Sequence, residues 1–573
     1  MPLDLLQNRG PIDETDSAFQ DVLGDLQGNI LASHGRFHAV HLFVSFTVER
    51  VDEIRRWIAG FAGSRITSAL DQARASDAYR REKTDAGVFA HFALSAHGYD
   101  CLGVPDLHRP KGANPRNRII NPPQGDHEDP QPAADPNQPD YFDVFQVGMT
   151  ARRRFLIDPP QAEREDGYNN PDKPIDAMIL LASDGPADLV AIERVVIGQI
   201  KGLMTVVASE RGINLKKTFR AEDGPDGIAV EHFGYVDGRS QPLFLFRQAL
   251  RENPAGGGSS WDPRAALSLV LVPDPNGAPS VSFGSFLVYR KLEQNVRGFK
   301  DAESRVASEL GLPRKLAGAM AVGRYEDGTP LVLQPGDGSR PIPNDFNYAG
   351  DTAGQTCPFH AHIRKSNPRL ESVKFGGPFA QSTEEELGHR IARRGIPYGG
   401  PLSDSRNPAE LPDRGVGLLF FCYQADIWEQ FEFIQRFWCN NPEFLQPRLD
   451  RFAGPGKPDL PDGPGATSYR PFTGIDAVIG QTRPGEPDPL LVAVPEPPRH
   501  WPRAWGKPTT DVQTDFAKFV TLRGGEYLFS PCISFLKGLA HPGSSLLPPS
   551  SKTGDGAVTS PSAGSFKPSE PHN

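Results

Sequence analysis

Residues 177–203 read AMILLASDGPADLVAIERVVIGQIKGL, and this stretch decides the fold class. It opens on an unbroken apolar run, 177–182, of the kind a strand shows when both of its faces are buried. Asp184 and Pro186 then supply a helix start, an acceptor for free N–H groups and a ring already set to helical φ. Leu189, Ile192, Val196, Ile200 and Leu203 follow at steps of three and four, which puts them on one helical face. The same grammar appears earlier. VHLFVSFT at 40–47 reads as a strand, Val51, Ile54, Ile58 and Phe61 as a helix face, and GVFAHFALSAHG at 87–98 as a second strand-like run. The first half is therefore β-α-β, twice over.

A second half opens after the linker-like ENPAGGGSSWD at 252–262. It carries a strand at 285–290, a helix with Val296 and Phe299, and a strand at 417–424. Ile427, Phe431, Ile434 and Trp438 follow on one helical face, and a last strand lies around 526–529. No glycine-rich phosphate loop sits at a strand–helix junction, so the reading is α+β, two sandwiches rather than a doubly wound nucleotide fold. Two units also suit a chain of 573 residues, because single cores stop growing near ~250–300 residues. The expected organisation is 1–240, 241–540 and a tail, 541–573. Within the first unit about 104–142 should be a surface insertion, since residues 105–139 hold nine prolines. The tail, with eight Ser, six Pro and four Gly, is expected to be disordered and free to dock an unknown partner.

A formal net charge of −10, with no sustained Lys/Arg block, excludes nucleic acid and anionic membranes as partners. The amino terminus lacks a basic then apolar leader, and no apolar run is long enough to span a bilayer. The five cysteines are odd in number and widely scattered, which argues against a disulfide framework. The expected location is the cytoplasm, and a homo-oligomer is compatible with all of this.

Several chemistries are ruled out by pattern. There is no Walker loop, no HExxH, no paired CxxC and no G-x-S-x-G, and without CxxCH any haem is held non-covalently. What remains is a set of dense polar segments: FGYVDGRSQP at 233–242, CPFHAHIRKSNPR at 357–369 and RRGIPYG at 393–399. Each combines ionisable groups with Gly or Pro that fix the backbone. Taken alone, Asp237 before Gly238 is either a turn former or a base, and His360 and His362 are either loop histidines or ligands.

These three segments, in this order, resemble the signature of the dye-decolorising peroxidases, with GYVDG at 234–238 as the GxxDG motif. The resemblance extends through LQGNIL at 26–31, GSFLVYRKLEQNV at 284–296, RGVGLLFFCYQ at 414–424, VIGQT at 478–482 and GGEYLFSP at 524–531. It implies two ferredoxin-like domains holding one haem b between them. It also implies His362 as the iron ligand, with His360 as the rival, and Asp476 as the carboxylate behind the ligand, against the alternative of a surface carboxylate near a turn. Asp237 is implied as the base that moves the peroxide proton, and Arg393 as the cation that stabilises charge on the breaking O–O bond. Arg369 is implied as a haem-carboxylate partner, with Arg390 and Arg394 either facing solvent or doing the same. Leu418 and Phe420 are implied as apolar residues restricting access, and are equally consistent with plain core. The implied reaction takes hydrogen peroxide and one-electron organic donors such as dyes and phenolics. The rivals are a haem-binding or iron-handling protein on the same scaffold and a non-haem metal protein, the latter unsupported by any spaced ligand cluster.

Overall fold

The computed structural model describes all residues except 1–9, 113–117, 121–130, 133–140, 253–258, 376–380, 403–406, 443, 446–473, 482–498, 513–515, 517 and 541–573. The expected tail and most of the expected proline-rich insertion lie outside the described residues.

The first half builds strands β1 (His38–Phe46), β2 (Phe89–Leu94), β3 (Ala177–Ser183) and β4 (Met204–Ile213). Between them run helices α1 (Val51–Ser64), α2 (Ala69–Glu82), α3 (Ala96–Cys101) and α4 (Pro186–Ile200). All pairings are antiparallel, in the order β2-β3-β1-β4. This is the ferredoxin-like order, in which each βαβ crossover spans a strand of the other unit. The second half repeats it with β5 (Phe283–Gln294), the two-residue β6 (Ala392–Arg393), β7 (Ile396–Tyr398), β8 (Gly417–Gln424) and β9 (Val520–Ser530), ordered β9-β5-β8-β7. Helices α5 (Val296–Leu310) and α6 (Arg314–Val322) pack together beside it.

The two sheets join. β9 meets β2 through Phe529 and Leu94, and β7 meets β4 through Tyr398 and Gly212, so the strands close into a ring. Gly212 is required there, because a Cβ would sit 2.4 Å from the Ile396 side chain. Closure explains the near-continuous apolar runs in the sequence. Val40, Leu42 and Val44 face out, under α1 and α4, while Phe43, Leu180, Leu287, Tyr289 and Phe421 pack inside the ring. Both faces of β1, β2 and β3 are thus out of water, whereas β4 leaves Thr205, Ser209 and Arg211 exposed.

Two local expectations need correction. The strand-like run 87–98 stops at Leu94, because the Ser95 hydroxyl accepts from Gly98 N–H at 3.0 Å and starts α3. The helix over 427–438 has π-helical turns, Ile427–Glu432 and Ile434–Cys439. The Phe431 N–H donates to Gln424 Oε1 at 3.2 Å, which helps hold the widened turn open.

Glu432, on that segment, is fully buried and accepts from Arg152 Nε at 2.9 Å, Arg152 Nη2 at 2.8 Å and the Tyr527 hydroxyl at 2.7 Å. Removing one partner of a buried pair strands the other charge, so Glu432→Ala should cost about 3–5 kcal/mol. The exposed Arg50–Glu53 pair is screened by water, so the equivalent Glu53→Ala change should leave stability almost unchanged. Urea unfolding midpoints of the two variants check the contrast, and equal shifts would contradict it.

Candidate active site

A cavity of about 240 Å³ opens between the sheet and the helices of the second half. Its walls include Asp237, Arg239, Ser240, Arg324, His362, Arg369, Arg390, Arg393, Leu418, Phe420 and Phe431. Residues from all three polar segments singled out in the sequence therefore meet at one place.

His362 opens the short helix α7 (His362–Ser366). Its Nδ1 lies 2.9 Å from Asp476 Oδ2, a carboxylate with no exposed side-chain surface, which leaves Nε2 as the uncommitted ring nitrogen. Burial alone would raise the Asp476 carboxyl. The charge and hydrogen bond of His362, with the Ile479 and Val478 N–H groups, instead hold it below the ordinary carboxylate range. Those amides donate to Oδ1 at 2.9 and 2.7 Å, so the carboxylate is locked in orientation. Asp476 is not a surface carboxylate. His360 is not on the cavity wall: it is fully buried, with its ring 4.4 Å from Trp501, and burial keeps its imidazole well below its ordinary pKa.

Asp237 is aimed by the glycines around it. Gly234 at φ 90° and Gly238 at φ 77° take the left-handed region that a side chain disfavours, and Gly238 N–H donates to Asp237 Oδ1 at 2.6 Å. Arg393 sits on β6, paired with Cys422 of β8. Its Nη2 donates to Arg239 O at 2.9 Å and its Nη1 stands 3.6 Å from Asp237 Oδ1. The acid and the cation are therefore adjacent and about a quarter to a third exposed. Leu418 and Phe420 alternate along β8 and reach the cavity, while Leu419 and Phe421 turn into the ring. A neighbouring cavity of about 220 Å³ shares Asp237, Gly238, Arg393, Leu418 and Phe420 as walls.

Arg369 reaches the cavity from a left-handed backbone at φ 54°, and it is committed to protein acceptors. Nη1 donates to the Asn344 and Phe346 carbonyls, and Nη2 to Ser240 Oγ and Asn344 Oδ1. Arg324, which the sequence reading missed, meets it at the same Ser240 Oγ and Asn344 Oδ1. Neither arginine forms an ion pair among the described residues. Burial first, and then Arg369 beside it, push the Arg324 guanidinium down to about 9. Two neighbouring cations held only by neutral acceptors give this wall an unneutralised positive charge of the kind that suits an anion. Arg390 also lines the cavity, whereas Arg394 neither faces solvent nor reaches it, since its guanidinium donates to the Asn29, Ile30 and Arg393 carbonyls. Glu231 is a second residue the sequence reading passed over. It lines the cavity, accepts from Gln294 Nε2 at 2.5 Å, and desolvation pushes its carboxyl up to about 7.

The donor set fits a haem: an imidazole with one nitrogen fixed and the other available, apolar walls, and paired guanidinium groups for carboxylates. No described helix is long and apolar enough to cross a membrane.

No protein-family profile matches the chain. Among curated proteins it is 37% identical over 551 residues to the multifunctional dye peroxidase DyP2 of Amycolatopsis sp., covering 94% of this chain and all of that protein. It is 32% identical over 349 residues to a dye-decolorizing peroxidase of Mycena epipterygia, covering 54% of this chain and 57% of the relative. Among solved structures, a DyP-type peroxidase of Anabaena sp. superposes with a TM-score of 0.74 at 36% identity, over 93% of this chain and 98% of that one. Closed ferredoxin-like sheets, a haem-compatible cavity and near-full-length identity to named peroxidases together make this chain a member of the dye-decolorizing peroxidase family, haem enzymes that reduce peroxide and oxidise organic donors.

Proposed function

We propose that the cavity holds one non-covalent haem b, with His362 Nε2 as the iron ligand and Asp237 and Arg393 as the groups that handle peroxide. The observation that carries this reading is that His362, backed by Asp476, lines one cavity together with the Asp237–Arg393 pair and the Arg324–Arg369 pair. Bound haem supplies the two-electron reduction of peroxide and the one-electron oxidation of donors. The protein does the rest. Asp476 fixes the Nδ1–H of His362, sets its ring orientation and makes Nε2 a more basic donor. Asp237 would take the proton from one peroxide oxygen and return it to the other, which leaves as water as the O–O bond breaks. Arg393 carries a fixed positive charge next to the oxygen on which negative charge develops. Arg324 and Arg369 offer their shared positive field to the haem carboxylates, and Leu418 and Phe420 narrow the approach from the neighbouring cavity to small oxidants.

The test is the visible spectrum of the purified, haem-reconstituted protein before and after one equivalent of hydrogen peroxide. A single intense Soret band that changes on mixing, with a phenolic or dye donor consumed in turnover, is expected. A protein that binds haem but leaves peroxide untouched would support the iron-handling alternative instead.

A further inference from the structure

Outside the cavity described above, α3 lies against the strand that Asp176 leads into, and three ligand-bearing side chains converge there. Gly98 makes the approach possible, because a Cβ at that position would stand 2.0 Å from the Asp176 carbonyl oxygen. One turn apart on α3, His97 and Cys101 present Nδ1 and Sγ on the same face, 3.5 Å from each other. Cys101 Sγ is 3.7 Å from Asp176 Oδ1, and His97 Nδ1 is hydrogen-bonded to that same oxygen. All three donor atoms lie within 4.8 Å of one another. Ligands held tetrahedrally at zinc bond lengths of ~2.0–2.3 Å stand roughly 3.3–3.8 Å apart, so both sulfur separations already match.

The carboxylate is prepositioned. Asp176 Oδ2 accepts from Phe46 N–H at 2.5 Å, its backbone O from Ser95 N–H at 2.9 Å, and its own N–H donates to Val44 O at 2.8 Å. The side chain is 1% exposed, whereas His97 is 51% exposed, so one side of the cluster is open to water. Cys101 is also the single cysteine of the five that is not buried.

We propose that His97, Cys101 and Asp176 bind one divalent cation of the zinc class, with solvent water as the fourth ligand. One imidazole, one thiolate and one carboxylate form a borderline donor set that favours zinc over magnesium or calcium. A thiol must shed its proton to bind zinc, and that proton passes to buffer.

The full-length, haem-loaded protein titrated with zinc chloride by calorimetry, in two buffers of different ionisation enthalpy, tests this. One ion per chain with net proton release is expected. His97→Ala and Cys101→Ala should each weaken binding at least ~10-fold while leaving peroxide turnover unchanged. Asp176 is left intact because it anchors the backbone of β1 and α3. In parallel, zinc should protect Cys101 of the wild type from iodoacetamide, read by mass spectrometry, and should not protect it in His97→Ala. Wild-type affinity in either variant, or alkylation of Cys101 at the same rate with and without saturating zinc, overturns the site.

Discussion

Asp237→Asn is expected to slow the reaction of the resting enzyme with hydrogen peroxide by about 100-fold or more, the lower range of what a positioned acid–base group contributes. The substitution keeps the size of the side chain and an oxygen able to accept from Gly238 N–H, which now donates at 2.6 Å. It removes the site that takes up the proton. Arg393 stays in place, because its Nη2 remains bound to Arg239 O and its backbone N–H to Gln241 Oε1. The resting Soret band should therefore be unchanged, and only the peroxide-dependent change, followed by stopped-flow mixing, should slow. If the variant reacts at the wild-type rate, Asp237 is a turn residue of the GYVDG loop, and the proton moves by another route.

His362→Ala should abolish nearly all Soret absorbance after reconstitution, whereas His360→Ala should retain it. The two histidines are two residues apart and differ in everything else. His362 is on the cavity wall with its Nδ1 engaged by Asp476. His360 is sealed against Trp501 and its ring nitrogens have no hydrogen-bond partner among the described residues. Truncating it should leave a void and cost about 2–5 kcal/mol, as other large-to-small core changes do. The expected outcome is thus a split, haem retention lost in one variant and unfolding midpoint lowered in the other. Loss of the Soret band in His360→Ala with retention in His362→Ala would reverse the assignment of the ligand.

Much of this was legible because periodicity and burial agree. The strand expected at 417–424 has those bounds, and the alternation of Leu418 and Phe420 against Leu419 and Phe421 follows from a period of two. The polar segments marked the site because glycine next to an ionisable residue signals a backbone bent for a purpose, as at Gly234 and Gly238. Other features carried no such mark. Closure of the ring rests on two single-pair junctions, Phe529 with Leu94 and Tyr398 with Gly212, and contacts so sparse leave no pattern in either strand. The first π-helical turn is met by a side chain outside the helix, Gln424, and helical spacing alone reads the same either way. Arg324 lies outside every polar motif, and only the fold brings it to the Ser240 and Asn344 acceptors that Arg369 uses.

The closed sheet has a consequence for how the molecule must be assembled. Cut at the two junctions, each half becomes an open four-stranded sheet, with β2 and β4 exposed on one and β9 and β7 on the other. Unpaired strand edges are templates for association with any other chain. The inward-facing layer of Phe43, Leu180, Leu287, Tyr289 and Phe421 would be uncovered at the same time. A half made alone would present both its edges and its apolar inner layer to other chains, so closing the ring is what shields each half from association.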